Sequence, residues 1–72
     1  KYEINNIDVT ILLEKPKLTG YIDTMKKSLS KVIGIDKSFL SIKATTTEGL
    51  GFVGREEGVA AHCVALLINN VD

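Results

Sequence analysis

Cysteine, proline, histidine and tryptophan are nearly missing from this 72-residue chain, which has one Cys, one Pro, one His and no Trp. With Cys63 alone, no disulfide can close within the chain. A single thiol fits a reducing compartment. Excess charge of either sign is also absent, since nine Lys and Arg are balanced by nine Asp and Glu. A nucleic-acid binder announces itself by a basic stripe with interleaved aromatics, and none is present. No apolar run approaches the ~20 residues that a membrane span needs. No signal or transit peptide is expected in it. What the chain does contain is apolar content, at 44% hydrophobic residues, too much for a disordered tail. The length allows one small domain at most. Such a domain buries only roughly 60% of the surface its unfolded chain exposes. Domains of this size commonly rely on disulfides, a metal or partner chains, and the first of these is excluded.

The apolar residues fall into three patterns. Ile7, Val9 and Ile11 alternate with Asp8 and Thr10, and Leu12 and Leu13 follow. Period two with β-branched residues predicts a strand, ended by Lys15-Pro16-Lys17 because proline cannot donate to a ladder. From Thr19 or Gly20 the period lengthens. Tyr21, Met25, Leu29 and Val32 recur at three- and four-residue spacing, with Ile22 and Ile33 beside them and Lys26, Lys27, Ser30 and Lys31 on the other face. That pattern predicts an amphipathic helix with cations near its C-terminal end. Gly34 suits a left-handed C′ residue, with Ile35 folding back on the last turn. After a short turn over Asp36 to Phe39, Leu40, Ile42 and Ala44 alternate with Ser41, Lys43 and Thr45, which predicts a second strand. The unit is therefore β-α-β, which favours parallel strands with the helix on one face. The last segment, Val59 to Ile68, permits a helix by its alanines and leucines and a strand by its β-branched residues; a strand is expected.

Chemistry concentrates between Lys43 and Arg55. In Lys43-Ala44-Thr45-Thr46-Thr47-Glu48, hydroxyls and backbone N–H groups at a strand end can converge on phosphate oxygens. The nearby Glu48 can hold a hard cation bridging two phosphates, and Arg55 can neutralise an anion. Gly49, Gly51 and Gly54 let the backbone turn sharply and approach a ligand. The plainer reading is that the threonines end a strand and the glycines make a turn. Gly49, Gly51 and Gly54 also fit G-x-G-x-x-G, but Arg55-Glu56-Glu57-Gly58 stands where the dinucleotide fold needs a helix. A Walker A loop fails because Arg55-Glu56 replaces its Lys-Ser/Thr. Gly49-Leu50-Gly51-Phe52 matches the carboxylate loop of PDZ domains, but too little chain follows it for that fold.

Lys43-Ala-Thr-Thr-Thr-Glu48, Gly49-Leu-Gly-Phe52 and Gly54-Arg55-x-Glu57-Gly58 together resemble the signature of 2-C-methyl-D-erythritol 2,4-cyclodiphosphate synthases. The resemblance extends to Asn6-Ile-Asp8-Val-Thr-Ile11, to Pro16-Lys17 and to Val64-Ala-Leu-Leu67. It covers residues 1–72 as the C-terminal half of a single synthase domain. It implies an α+β fold, with the β-α-β unit and a further C-terminal strand forming part of a small mixed-sheet subunit of a homotrimer, whose active sites lie between neighbours. The implied enzyme is a phosphorus–oxygen lyase of the non-mevalonate isoprenoid pathway, in a bacterial cytoplasm or a plastid. Its cytidine diphosphate substrate is cyclised with release of CMP.

Residue roles follow from the same resemblance. Leu13, Glu14, Lys15, Pro16, Lys17, Leu18 and Thr19 match the cytosine-binding loop, much of whose recognition is by backbone. Ala44, Thr45, Thr46 and Thr47 match the substrate-binding run, with Thr46 the transition-state stabiliser, and Glu48 matches the ligand of Mg²⁺ or Mn²⁺. Phe52 and Arg55 match residues near the trimer axis, where Arg55 either holds a diphosphate, with Glu57 as its ion partner, or forms only an interface salt bridge. The family's catalytic Zn²⁺ is held by an Asp-x-His pair and a further His, all in the N-terminal half, as are the ribose contacts. No zinc ligand is therefore expected in this chain, His62 included, and turnover is expected only with the N-terminal half of the same enzyme as partner. The alternative is a non-catalytic phosphate-binding or interface module.

Overall fold

The computed structural model describes residues 1–69, in the order β1 (Tyr2–Leu12), α1 (Ile22–Ile33), β2 (Leu40–Thr45), α2 (Gly51–Gly54) and β3 (Ala60–Asn69). Single 3₁₀ turns at Thr19–Tyr21 and Lys37–Phe39 lead into α1 and β2. The three strands form one sheet in the order β2-β1-β3. β1 pairs parallel with β2 and antiparallel with β3, so the sheet is mixed and the fold is α+β. The β-α-β unit and the terminal strand are both present.

Pleating sorts the side chains. Ile7 lies opposite Leu40, Val9 opposite Ile42 and Ile11 opposite Ala44, so one face of β1 and β2 is apolar. Ile7, Leu40 and Ile42 are buried there, packed by Val9, Ile11 and, from α1 and its exit, Ile22, Met25, Leu29, Ile33 and Ile35. Burying a side chain such as Leu40, 2% exposed, contributes about 1.5–3 kcal/mol. The intervening residues point to the other face, where the Lys43 ammonium meets the Asp8 carboxylate at 2.9 Å.

Three expectations need correction. β1 begins at Tyr2 rather than Ile7. The polar pair Asn5-Asn6 hides the alternation, and a register shift between Ile4 and Asn6 is the bulge that accommodates it. The buried stripe of α1 excludes Tyr21 and Val32, which are 61% and 83% exposed. Tyr21 belongs to the preceding 3₁₀ turn, and Val32 lies about 100° around the helix from Ile33. The glycine-rich stretch also contains one helical turn, α2, anchored by buried Val53. At the end of α1, Gly34 adopts φ 85° and donates to Ser30 O at 2.8 Å, and Ile35 N–H reaches the same carbonyl at 3.2 Å.

Candidate functional site

Leu12 and Thr45, the last residues of β1 and β2, lie opposite each other. The segments leaving them therefore start from the same end of the sheet. Leu13 N–H extends the pairing by donating to Thr45 O at 3.0 Å. Between the two segments is an open depression of about 250 Å³ lined by Leu13, Glu14, Pro16, Lys17, Leu18, Thr19, Ala44, Thr45 and Thr46. The Lys15–Pro16 peptide is cis. Of the loop singled out in the sequence, Lys15 alone is not part of this lining; its ammonium lies 3.7 Å from Glu56. Phe52 and Arg55 stand apart, on α2 and just after it. The Arg55 guanidinium is gripped by Glu57, Nε donating at 3.0 Å and Nη2 at 3.2 Å.

The loop after β2 is held by its own polar groups and by Glu14 of the segment after β1. Thr47 N–H donates to Glu14 Oε2 at 2.9 Å and Gly49 N–H to Glu14 Oε1 at 3.1 Å. Glu48 N–H donates to Thr46 Oγ1 at 3.2 Å. Leu50 N–H donates to Thr47 O at 3.1 Å, and Thr47 Oγ1 donates to Leu50 O at 2.7 Å. The backbone N–H groups of residues 47–50 are thus engaged within the chain, those of Thr47 and Glu48 in the Lys43–Glu48 run included. What they leave is the Thr46 hydroxyl proton, because its oxygen is the acceptor for Glu48 N–H and its proton remains to be given. Glu48 itself sits at φ 54°, a left-handed conformation uncommon outside glycine. Its side chain is in no hydrogen bond or ion pair among the described residues. Gly49 continues the turn at φ 80°. Gly54 is required by contact instead, since a Cβ there would overlap the Gly49 backbone.

An exposed carboxylate beside a hydroxyl donor suits a hard cation that already carries phosphate oxygens, since Mg²⁺ is typically bound by one or two carboxylates plus phosphate and water. Zinc is different. A catalytic zinc takes three protein ligands, and among the described residues no three of His, Cys, Asp and Glu stand close enough to hold a metal. His62 and Cys63, adjacent in β3, point to opposite faces of the sheet and cannot converge. Sequence reasoning placed Glu14 among the nucleotide contacts and overlooked its grip on the second loop. The one available signal was an acid directly after a strand end, and it does not say what the acid reaches.

This architecture is of the small mixed-sheet α+β class, with a depression where its parallel strands end. Superposition on the 2C-methyl-D-erythritol 2,4-cyclodiphosphate synthase of Plasmodium vivax gives a TM-score of 0.91 at 33% identity, over 97% of this chain and 47% of that one. The IspF–CDP complex of Plasmodium falciparum gives 0.88 at 33% identity, over 93% and 43%. The model of the YgbB family matches residues 1–68, and the chain belongs to that family. It is 58% identical over 66 residues to the 2-C-methyl-D-erythritol 2,4-cyclodiphosphate synthase of Brachyspira hyodysenteriae, covering 92% of this chain and 42% of that protein. The chain thus spans less than half the length of such curated relatives.

Proposed function

We propose that this chain supplies the nucleotide- and metal-binding part of a cyclodiphosphate synthase. The observation that carries the reading is the meeting of the Leu13–Thr19 and Ala44–Thr46 segments around one depression, with the Thr46 hydroxyl proton unspent in its lining and the exposed Glu48 two residues further along the same loop. The substrate is 4-diphosphocytidyl-2-C-methyl-D-erythritol 2-phosphate. Its cytosine lies against the first segment, and its diphosphate against Thr45, Thr46 and Thr47. An oxygen of the 2-phosphate attacks the β-phosphorus. The bond from that phosphorus to the bridging oxygen breaks, its electron pair leaves with CMP, and 2-C-methyl-D-erythritol 2,4-cyclodiphosphate remains. Both reacting phosphates belong to one molecule, so holding it in a near-attack geometry supplies much of the rate. Thr46 donates a hydrogen bond where negative charge develops. Glu48 would hold Mg²⁺ or Mn²⁺, which would supply neutralisation of the developing negative charge.

The zinc ligands and ribose contacts come from the N-terminal half of the enzyme, and three subunits assemble with each active site between neighbours. The exposed apolar row Val64, Leu66 and Ile68 along β3, an edge strand of the described sheet, favours this assembly, because such an edge calls for a protein partner. Phe52 and Arg55 face the threefold axis. No helix among the described residues is long and apolar enough to cross a membrane, and the proposed setting is a bacterial cytoplasm or a plastid.

The test is Glu48→Gln in a protein of the relatives' full length carrying these residues. Turnover in Mg²⁺ is expected to fall about a hundredfold, the scale of losing one electrostatic stabiliser, with assembly unchanged by sedimentation. Equal turnover in the variant would remove Glu48 from the site.

A further inference from the structure

Glu14 is the half-buried acid two residues beyond the end of β1, and its carboxylate straddles Glu48. One oxygen takes the amide just before Glu48, at 2.9 Å, and the other takes the amide just after it, at 3.1 Å. Successive N–H groups turned inward by left-handed residues form a concavity that binds anions. Glu48 at φ 54° and Gly49 at φ 80° build such a concavity, and the chain fills it with its own carboxylate. A substrate phosphate is therefore not needed to order the loop. Glu14 also belongs to the segment that lines the depression from the β1 side. A single side chain, through contacts spanning 33 and 35 residues of sequence, ties that segment to the loop that carries Thr46 and Glu48.

We propose that Glu14 is a positioning residue that fixes the metal-bearing loop relative to the nucleotide pocket, and not a contact to the base. The inference rests on the functional reading above. It acts through the backbone: with both carboxylate oxygens occupied by Thr47 and Gly49, Glu48 is held in a conformation it would otherwise rarely adopt. Losing the clamp should loosen the metal site while leaving the pyrimidine contacts in place.

The experiment compares wild type, Glu14→Ala and Glu14→Gln in the full-length assembled enzyme, by calorimetric binding of cytidine and of CDP with Mg²⁺. Glu14→Ala is expected to weaken Mg²⁺-dependent CDP binding, and to raise the Mg²⁺ midpoint of turnover, by about tenfold, the lower end of what outer-shell ligand supports contribute. Cytidine affinity is expected to stay at the wild-type value. Glu14→Gln keeps one acceptor oxygen and is expected to fall between the two. Amide hydrogen exchange supplies a readout independent of activity: Thr47 and Gly49 should lose protection in Glu14→Ala while β2 keeps its own. Equal weakening of cytidine and CDP would make Glu14 a direct base contact and overturn the proposal, as would unchanged protection of the two amides. A wild-type protein that does not bind CDP at all would overturn the underlying functional reading instead.

Discussion

The loop after β2 and the strand β3 are both largely open to solvent, but they are open in opposite ways. In the loop, the amides of residues 47–50 are engaged and the groups left outward are a carboxylate and a hydroxyl proton. In β3, Val64, Leu66 and Ile68 are 69%, 54% and 47% exposed, on the face away from α1. β3 is also an edge strand of the described sheet, ten residues long, with one side of its backbone unpaired there. The loop is completed within the chain, by Glu14, and presents polar groups suited to a ligand. β3 is incomplete and presents apolar groups and a hydrogen-bonding edge that suit another protein surface.

The largest expected effect breaks the second half of that contrast. In the full-length protein, Leu66→Lys would place an ammonium on the apolar face of β3. If that face is covered in the assembly, an unpaired buried charge costs several kcal/mol per subunit. Sedimentation is expected to show loss of the oligomer, while a Lys on a solvated face would leave it intact. Retained assembly would mean that β3 meets water after all, and that its apolar residues have another explanation.

A smaller effect tests whether the loop is held as tightly as its hydrogen bonds suggest. Gly54 packs against the Gly49 backbone so closely that Gly54→Ala forces one of the two segments to move. Overpacking of this kind typically costs about 1–3 kcal/mol. The expected result is a lower thermal midpoint together with weaker Mg²⁺-dependent CDP binding, because displacing Gly49 disturbs the Glu14 clamp. A variant with wild-type stability and binding would show that the loop has slack.

The same contrast explains what could be read from the sequence. β2 was predicted residue for residue, because Leu40, Ile42 and Ala44 alternate without interruption and a helix cap at Gly34 stands before them. The residues lining the depression were all singled out, those of Leu13–Thr19 only through the resemblance to the cyclodiphosphate synthases, since their types alone fit an ordinary strand-to-helix turn. What stayed hidden depended on distant partners. The first five residues of β1 look polar and irregular, and they become strand only because β3 pairs with them. Val32 fits an apolar spacing that the actual helix phase contradicts. The destination of the Glu14 carboxylate could not be read at all, because both of its bonds cross more than thirty residues. Four-residue α2 was equally hidden, since two of its residues are glycines, poor helix formers that tertiary contacts overrule here.

The smallest expected effect concerns a cap distant from both regions, and it separates local stability from assembly. Asp36 precedes β2 and accepts a hydrogen bond from Ser38 N–H at 2.9 Å. That backbone bond, with further help from the Ser38 side chain and the nearby Lys37 charge, holds the Asp36 carboxyl below its ordinary value. A depressed carboxyl binds fewer protons folded than unfolded, so its contribution is present at neutral pH and above its ordinary value. It is lost as pH falls through the lowered folded value. Asp36→Asn keeps an acceptor oxygen for Ser38 but cannot titrate. The variant's thermal midpoint is therefore expected to fall less steeply on the acid side, below about pH 4, with only a slight loss at neutral pH. The cap closes within three residues, so the difference between the two curves should persist when Leu66→Lys is added in the same protein. If the difference vanished with the oligomer, the turn before β2 would be ordered by assembly instead of by its own sequence.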